Sequence, residues 1–221
     1  MGDCKKYIVT GGAGFIGSNL VDKLIEEGHE VIVFDDLSLG NKKYVNKNAE
    51  FHKINIASLD PTKKRVDLNK IGKLFEGVDT IFHLAARTRI QPSIKEPHSF
   101  NHVNIGGTLN MLDMARLHGV RRFVFSSSSS VYGNVTEENL PTPTDAPKNP
   151  LSPYGLQKLV GEQYCKLYSE IHKLDTVILR YFSVYPTTRG IRLIGEILGG
   201  NQRPLYPRIN QDNITNNCTV H

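Results

Sequence analysis

The sequence is short of cysteine, of long hydrophobic runs and of clustered charge, and each shortage closes off a class of protein. Its three cysteines, Cys4, Cys165 and Cys218, are odd in number and far apart, which excludes a disulfide framework and offers no zinc-ligand spacing, so no metal is expected. Thiols used this sparingly suit a cytoplasmic protein. No stretch of 18 apolar residues occurs, so no membrane partner is expected, and no charged leader with an apolar segment precedes the first strand at Lys6. Met1-Gly2 fails as a myristoylation signal because Lys6 stands where Ser or Thr is needed. The sequons at Asn134, Asn213 and Asn217 then read as chance matches. The 27 Lys and Arg outnumber the 22 Asp and Glu, yet no basic run exceeds three residues, which describes a solvated surface and excludes a nucleic-acid partner.

What is present is the alternation of an α/β domain. With 221 residues and 39% hydrophobic content the chain can bury one good-sized core. Strands are expected at Lys6 to Thr10, Glu30 to Asp35, Phe51 to Ile54, Thr80 to Leu84, Arg122 to Ser126 and Thr176 to Arg180. Helices are expected at Phe15 to Glu27, Leu68 to Phe75, Ser99 to His118 and Tyr154 to His172, with a weaker one near Ile191 to Leu198. Short runs apolar on both faces, alternating with helices, imply a doubly wound parallel sheet covered on each side. Five prolines between Asn134 and Pro153 mark a loop at a strand's carboxyl end. From about Pro186 the pattern decays, so the chain divides into a dinucleotide-binding domain over 1–189 and a weakly patterned segment over 190–221.

The first strand runs into Gly11-Gly12-Ala13-Gly14-Phe15-Ile16-Gly17. Gly11 permits a tight turn, Gly14 lets the backbone approach a diphosphate, and Gly17 lets helix and strand pack closely, while the helix N-terminus aims N–H groups at the anion. The second strand ends at Asp35, eighteen residues after Gly17, where an acid grips adenosine ribose hydroxyls. A 2′-phosphate would face both Asp35 and Asp36, which favours NAD over NADP, although Lys42 and Lys43 follow closely.

Tyr154 and Lys158 stand four apart at a helix start and share a face. A phenol is almost wholly protonated at neutral pH, and making it a usable base takes roughly 4 kcal/mol of preferential phenolate stabilisation. A nearby ammonium and a positive nicotinamide are expected to supply much of that. The run Ser126 to Ser130 falls at the end of the fifth strand, so serine hydroxyl, phenol and ammonium should meet in one crevice. His98 and His102, also four apart, lack a third ligand and read as a helix-surface pair.

Assembled, these features resemble extended short-chain dehydrogenases that act on nucleoside-diphosphate sugars, most closely UDP-glucose and UDP-N-acetylglucosamine 4-epimerases. The resemblance runs from about Lys6 to Arg189 and includes the glycine motif, Phe34-Asp35-Asp36-Leu37-Ser38, His83-Leu84-Ala85-Ala86, Asn104-Ile105-Gly106-Gly107-Thr108, Val131-Tyr132-Gly133, Ser152-Pro153-Tyr154-Gly155, Lys158 and Leu179-Arg180-Tyr181-Phe182. It implies a Rossmann fold, with NAD against Gly11, Gly14, Phe15, Ile16, Gly17, Asp35, Asp36, Leu37, Ser38, Asn55, Ile56, Leu84, Ala85, Ala86, Asn104, Tyr154, Lys158 and Phe182. Tyr154 would transfer the proton, Lys158 would hold the nicotinamide ribose, and Ser128 would bind the reacting oxygen of a UDP-sugar, with Ser183 a further substrate contact. The implied reaction oxidises C4 transiently and returns the hydride to its other face. Related 4,6-dehydratases carry Asp-Glu where this chain has Ser129-Ser130, which argues for epimerisation. A catalytically impaired NAD-binding relative is the competing reading. It draws on the departures at Asn55, Ser183 and Pro186-Thr187-Thr188-Arg189, and on family chains that continue for about another domain where this one has only a remnant. Relatives dimerise through helices matching Ser99 to His118 and Tyr154 to His172, which implies a homodimer.

Overall fold

Consecutive residues of a strand point to opposite faces of a sheet, so an unbroken apolar run demands cover on both. Val31 to Phe34 meet that demand: Ile32 and Phe34 enter one core, Val31 and Val33 the other, and all four are buried. The computed structural model describes residues 3–63, 68–136 and 140–184. It shows six strands, β1 (Lys6–Thr10), β2 (Glu30–Asp35), β3 (Glu50–Lys53), β4 (Val78–His83), β5 (Arg122–Ser128) and β6 (Asp175–Tyr181). They pair in parallel throughout, in the order β3-β2-β1-β4-β5-β6.

Helices complete the layers. On one face Ile8, Ile32, Phe34, Ile81, Phe123 and Phe125 pack against Met111, Leu112 and Met114 of α5 (Thr108–Leu117) and Cys165 and Tyr168 of α6 (Pro153–His172). On the other, Val9, Val31 and Val33 pack against Val21 and Leu24 of α1 (Phe15–Glu26). Each such side chain contributes roughly 1.5–3 kcal/mol when fully buried. Because β1 lies between β2 and β4, the loops leaving β1 and β4 diverge and open a crevice at their carboxyl ends.

β1 and β2 fall where expected, and β5 runs two residues further than expected, to Ser128. Ser126, Ser127 and Ser128 pair with Leu179, Arg180 and Tyr181, and that ladder overrides the poor strand preference of serine. The long helix expected from Ser99 to His118 runs without a gap from Pro97 to Leu117, with a π-helical turn over His102–Gly107 separating α4 (Pro97–Asn101) from α5. Within that turn Gly107 packs closely on Ile56, since a β-carbon there would lie 2.7 Å from Ile56 Cδ1. The segment Leu68 to Phe75 is likewise split into α2 (Leu68–Gly72) and a 3-10 turn, and α3 (Ile90–Lys95) has no counterpart in the sequence expectation. The helix expected near 191–198, the residues Pro186 to Arg189 and the segment 190–221 lie outside the described residues. Among the described residues no helix is long and apolar enough to cross a membrane.

Candidate active site

The glycine loop is built by close approach. Gly11 leaves β1 at φ +74°, its N–H donating to the Phe34 carbonyl at 2.7 Å, and a β-carbon there would sit 2.8 Å from the Ala85 nitrogen. The Gly11 carbonyl then accepts the Gly14 N–H at 3.1 Å, and a β-carbon on Gly17 would meet that same oxygen at 2.2 Å. No side chain caps α1, so the N–H groups of its first turn, at Phe15, Ile16 and Gly17, are those a helix start presents to an anion.

Asp35, only 8% exposed, closes the loop from the side. Its Oδ2 accepts the Ala13 N–H at 3.0 Å and its Oδ1 the Leu37 N–H at 2.8 Å. Burial raises its pKa, and these two bonds oppose the rise. Each oxygen retains a second acceptor site. Leu37 adopts φ +61°, and Asp36 accepts the Ser38 N–H at 2.8 Å. The ammoniums of Lys42 and Lys43 lie over the rings of Phe51 and Tyr44, each 5.2 Å from the centroid.

The remaining cofactor candidates line the same carboxyl edge. Asn55 accepts the Ala57 N–H at 2.9 Å, and Ile56 is buried against Gly107. Leu84 and Ala85 donate to the carbonyl and hydroxyl oxygens of Thr10 at 3.2 and 3.1 Å, with Ala86 half-buried beside them. Asn104 is buried, accepting the Arg87 N–H at 2.7 Å and donating to the Arg87 carbonyl at 3.0 Å and to Gln157 Oε1 at 2.9 Å.

Helix α6 starts at Pro153, with Ser152 accepting the Gly155 N–H at 3.1 Å as its cap. Tyr154, Lys158 and Glu162 follow at every fourth residue, and each engages one of three consecutive serines of β5. Ser128 lies beside the Tyr154 phenol and lowers its pKa, Lys158 Nζ donates to the Ser126 carbonyl at 2.7 Å, and Ser127 donates to Glu162 at 2.6 Å. Ser128 in turn accepts from the hydroxyl and N–H of Ser130 at 2.9 and 3.2 Å.

The electrostatics differ from the sequence expectation in one respect. Burial pushes the Tyr154 phenol up, and the opposing influence is the Ser128 hydrogen bond. The Lys158 ammonium lies 5.9 Å from the Tyr154 ring centroid and is directed at Ser126; burial pulls its own pKa down to about 8.

Phe182 stacks on Tyr132 with centroids 6.5 Å apart, and Ser183 is exposed beyond β6. His98 and His102 are exposed, and among the described residues no group of three His, Cys, Asp or Glu could hold a metal ion. Sequence reasoning did not single out Glu162, Gln157 or Arg180 as site residues. Counting four residues on from Lys158 would have reached Glu162, whereas the partners of Gln157 and Arg180 lie far off in sequence.

A family model described as the NAD dependent epimerase/dehydratase family matches residues 7–194. The UDP-glucose 4-epimerase of Mycolicibacterium smegmatis is 40% identical over 182 residues, 81% of this chain and 56% of that one. The structure of the Thermus thermophilus UDP-glucose 4-epimerase in complex with NAD aligns with a TM-score of 0.75 at 32% identity, over 83% of this chain and 57% of that one. The Thermotoga maritima UDP-glucose 4-epimerase with UDP-glucose aligns at 0.74 and 39%, over 81% and 56%. The chain spans little more than half the length of the curated relatives it matches.

Proposed function

The chain belongs to the NAD dependent epimerase/dehydratase family, and from that premise we propose that it binds NAD and carries the catalytic residues of a UDP-sugar 4-epimerase acting on UDP-glucose or UDP-N-acetylglucosamine. The observation that carries this reading is the gathering of Tyr154 and Lys158 on α6 against the serines that end β5, with the Lys158 ammonium 2.7 Å from the Ser126 carbonyl and 5.9 Å from the Tyr154 ring centroid, and with Ser128 lowering the pKa of the phenol. These are the donor, proton carrier and cation that oxidation of a sugar hydroxyl requires.

The residues present fit the cofactor. A loop in which a β-carbon at Gly11 or Gly17 would strike backbone has been kept clear for close approach, and Asp35 retains one acceptor site on each oxygen for ribose hydroxyls. Asp35 and Asp36 repel a 2′-phosphate, and Lys42 and Lys43 are drawn over aromatic rings, so NAD is favoured over NADP. Bound NAD would supply a reversible hydride acceptor and a positively charged ring.

The chain's own work is proton transfer. The Tyr154 oxygen, ionised beside the positive ring that bound NAD would bring, would take the proton of the C4 hydroxyl and later return it; Ser128 would turn its single hydroxyl proton toward the reacting oxygen, and Lys158 would keep a cation beside the ring while holding the nicotinamide ribose. We assign Ser183 as a further substrate contact. Ser129 and Ser130, where the dehydratases carry acids, provide no group to expel water, which favours epimerisation. We also assign a homodimer through α5 and α6, on the exposed side chains Leu117, Leu167 and Ile171; light scattering showing only monomer would reject it.

The test pairs NAD retention with turnover of UDP-glucose and UDP-N-acetylglucosamine. Turnover with retained NAD supports the assignment, retention without turnover leaves a cofactor-binding protein lacking the activity, and no affinity for NAD at millimolar concentration overturns both.

A further inference from the structure

His83 ends β4 fully buried, with both ring nitrogens engaged: Nδ1 is 3.0 Å from Thr10 Oγ1 and Nε2 is 3.1 Å from Thr108 Oγ1. Counting protons fixes the direction of each bond. Thr108 gives its only hydroxyl proton to the Asn104 carbonyl at 2.7 Å, so it must accept from an Nε2–H. Burial, with the Lys158 charge nearby, holds the imidazole's pKa down to about 3, so the ring carries a single proton and Nδ1 accepts from the Thr10 hydroxyl. Thr10 in turn accepts the Ala85 N–H at 3.1 Å.

The result is a one-directional chain from Ala85 through Thr10, His83 and Thr108 to the backbone carbonyl of Asn104, a residue whose side-chain amide separately donates to Gln157 Oε1 at 2.9 Å. Its ends belong to different halves of the crevice. Thr10 immediately precedes Gly11 of the glycine loop, and Gln157 immediately precedes Lys158 on α6. Between them His83 spans the point where the sheet order reverses.

We propose that His83, as its Nε2–H tautomer, is a positioning residue that holds the glycine loop in register with the Asn104–Gln157–Lys158 side of the crevice, so that a dinucleotide reaching both halves is bound as one unit. This rests on the NAD reading above. Breaking the chain should cost affinity for a ligand that spans both halves and spare one that occupies the glycine loop alone.

The experiment compares NAD with ADP as probes, by calorimetry on wild type, Thr108→Val, Thr108→Ser and His83→Gln, together with ¹⁵N spectra of the His83 ring. Thr108→Val keeps the shape but removes the acceptor for Nε2–H, so NAD should bind about tenfold more weakly while ADP changes less than about twofold. Thr108→Ser should restore NAD affinity, and His83→Gln should behave like Thr108→Val. The ring should show a protonated Nε2 and a bare Nδ1 from about pH 8 to about pH 5. Equal loss of NAD and ADP affinity, or no loss of either, reduces His83 to a packing residue and overturns the proposal, as does an Nδ1–H tautomer. A wild type that binds neither probe removes the NAD reading itself, and the proposal with it.

Discussion

Arg180 and Glu162 form a two-pronged ion pair, Nε to Oε1 at 2.8 Å and Nη2 to Oε2 at 2.7 Å, with the Glu162 side chain wholly buried. The guanidinium also donates through Nη1 to the Tyr132 hydroxyl at 2.7 Å and to the Thr144 carbonyl at 2.6 Å, which ties the proline-rich loop to β6. Removing one partner leaves a buried charge alone, so Glu162→Leu or Arg180→Met should each cost about 3–5 kcal/mol. The double variant should cost far less than their sum. A urea-unfolding double-mutant cycle checks this, and additive losses would contradict the coupling.

Two glycines separate packing from backbone strain. Gly17→Ala places a methyl 2.2 Å from the Gly11 carbonyl, which displaces the loop at a cost of about 1–3 kcal/mol and should weaken NAD binding at least tenfold. Gly28 takes φ +85° with nothing within 4 Å of an added β-carbon, so Gly28→Ala should cost only about 1–2 kcal/mol of backbone strain and leave NAD binding unchanged. Melting temperature and calorimetry on the pair make the comparison; equal losses of NAD affinity would refute it.

Tyr154→Phe keeps the ring and removes the proton carrier, so turnover should fall by about 10²–10⁴-fold while NAD stays bound. Ser128→Ala has a different signature. The hydrogen bond from Ser128 lowers the Tyr154 pKa, so its loss should move the rising limb of the pH–rate profile to higher pH. A profile that only drops in height would assign Ser128 to substrate contact alone.

The parts of this molecule legible in its sequence are those set by short-range rules. The bounds of β1 and β2 follow from unbroken apolar runs, and the glycine loop from conformations that only glycine adopts at no cost. The helix expected from Ser99 is present, but its π-helical turn over His102–Gly107 was not read from the sequence, and the close contact of Gly107 with Ile56 joins residues about fifty apart. The run Ser126 to Ser130 and the Tyr154–Lys158 pair were readable as neighbours of one crevice. That Ser127 belongs to Glu162, or that Lys158 is directed at Ser126 and leaves Ser128 to hold the phenol, depends on the register between β5 and α6, which no local pattern records.

Burial of Lys158 should be visible in the pH dependence of stability. Its native pKa of about 8 lies below the ordinary 10.5, so between those values the unfolded chain binds the proton that the folded chain has lost. Folding is therefore penalised at pH 7, and the penalty fades as pH rises through that window. Lys158→Met removes it, at the expense of the hydrogen bond to Ser126, and should stabilise the cofactor-free protein at pH 7 by on the order of 1–3 kcal/mol, an advantage that shrinks toward pH 10.5. His83 works at the other end of the scale: with a native pKa of about 3 against 6.5, its contribution is intact above 6.5 and drains away as pH falls toward 3. Urea unfolding of wild type and Lys158→Met at neutral and alkaline pH decides the first point. A difference that stays constant would mean that the buried ammonium keeps its ordinary affinity for protons.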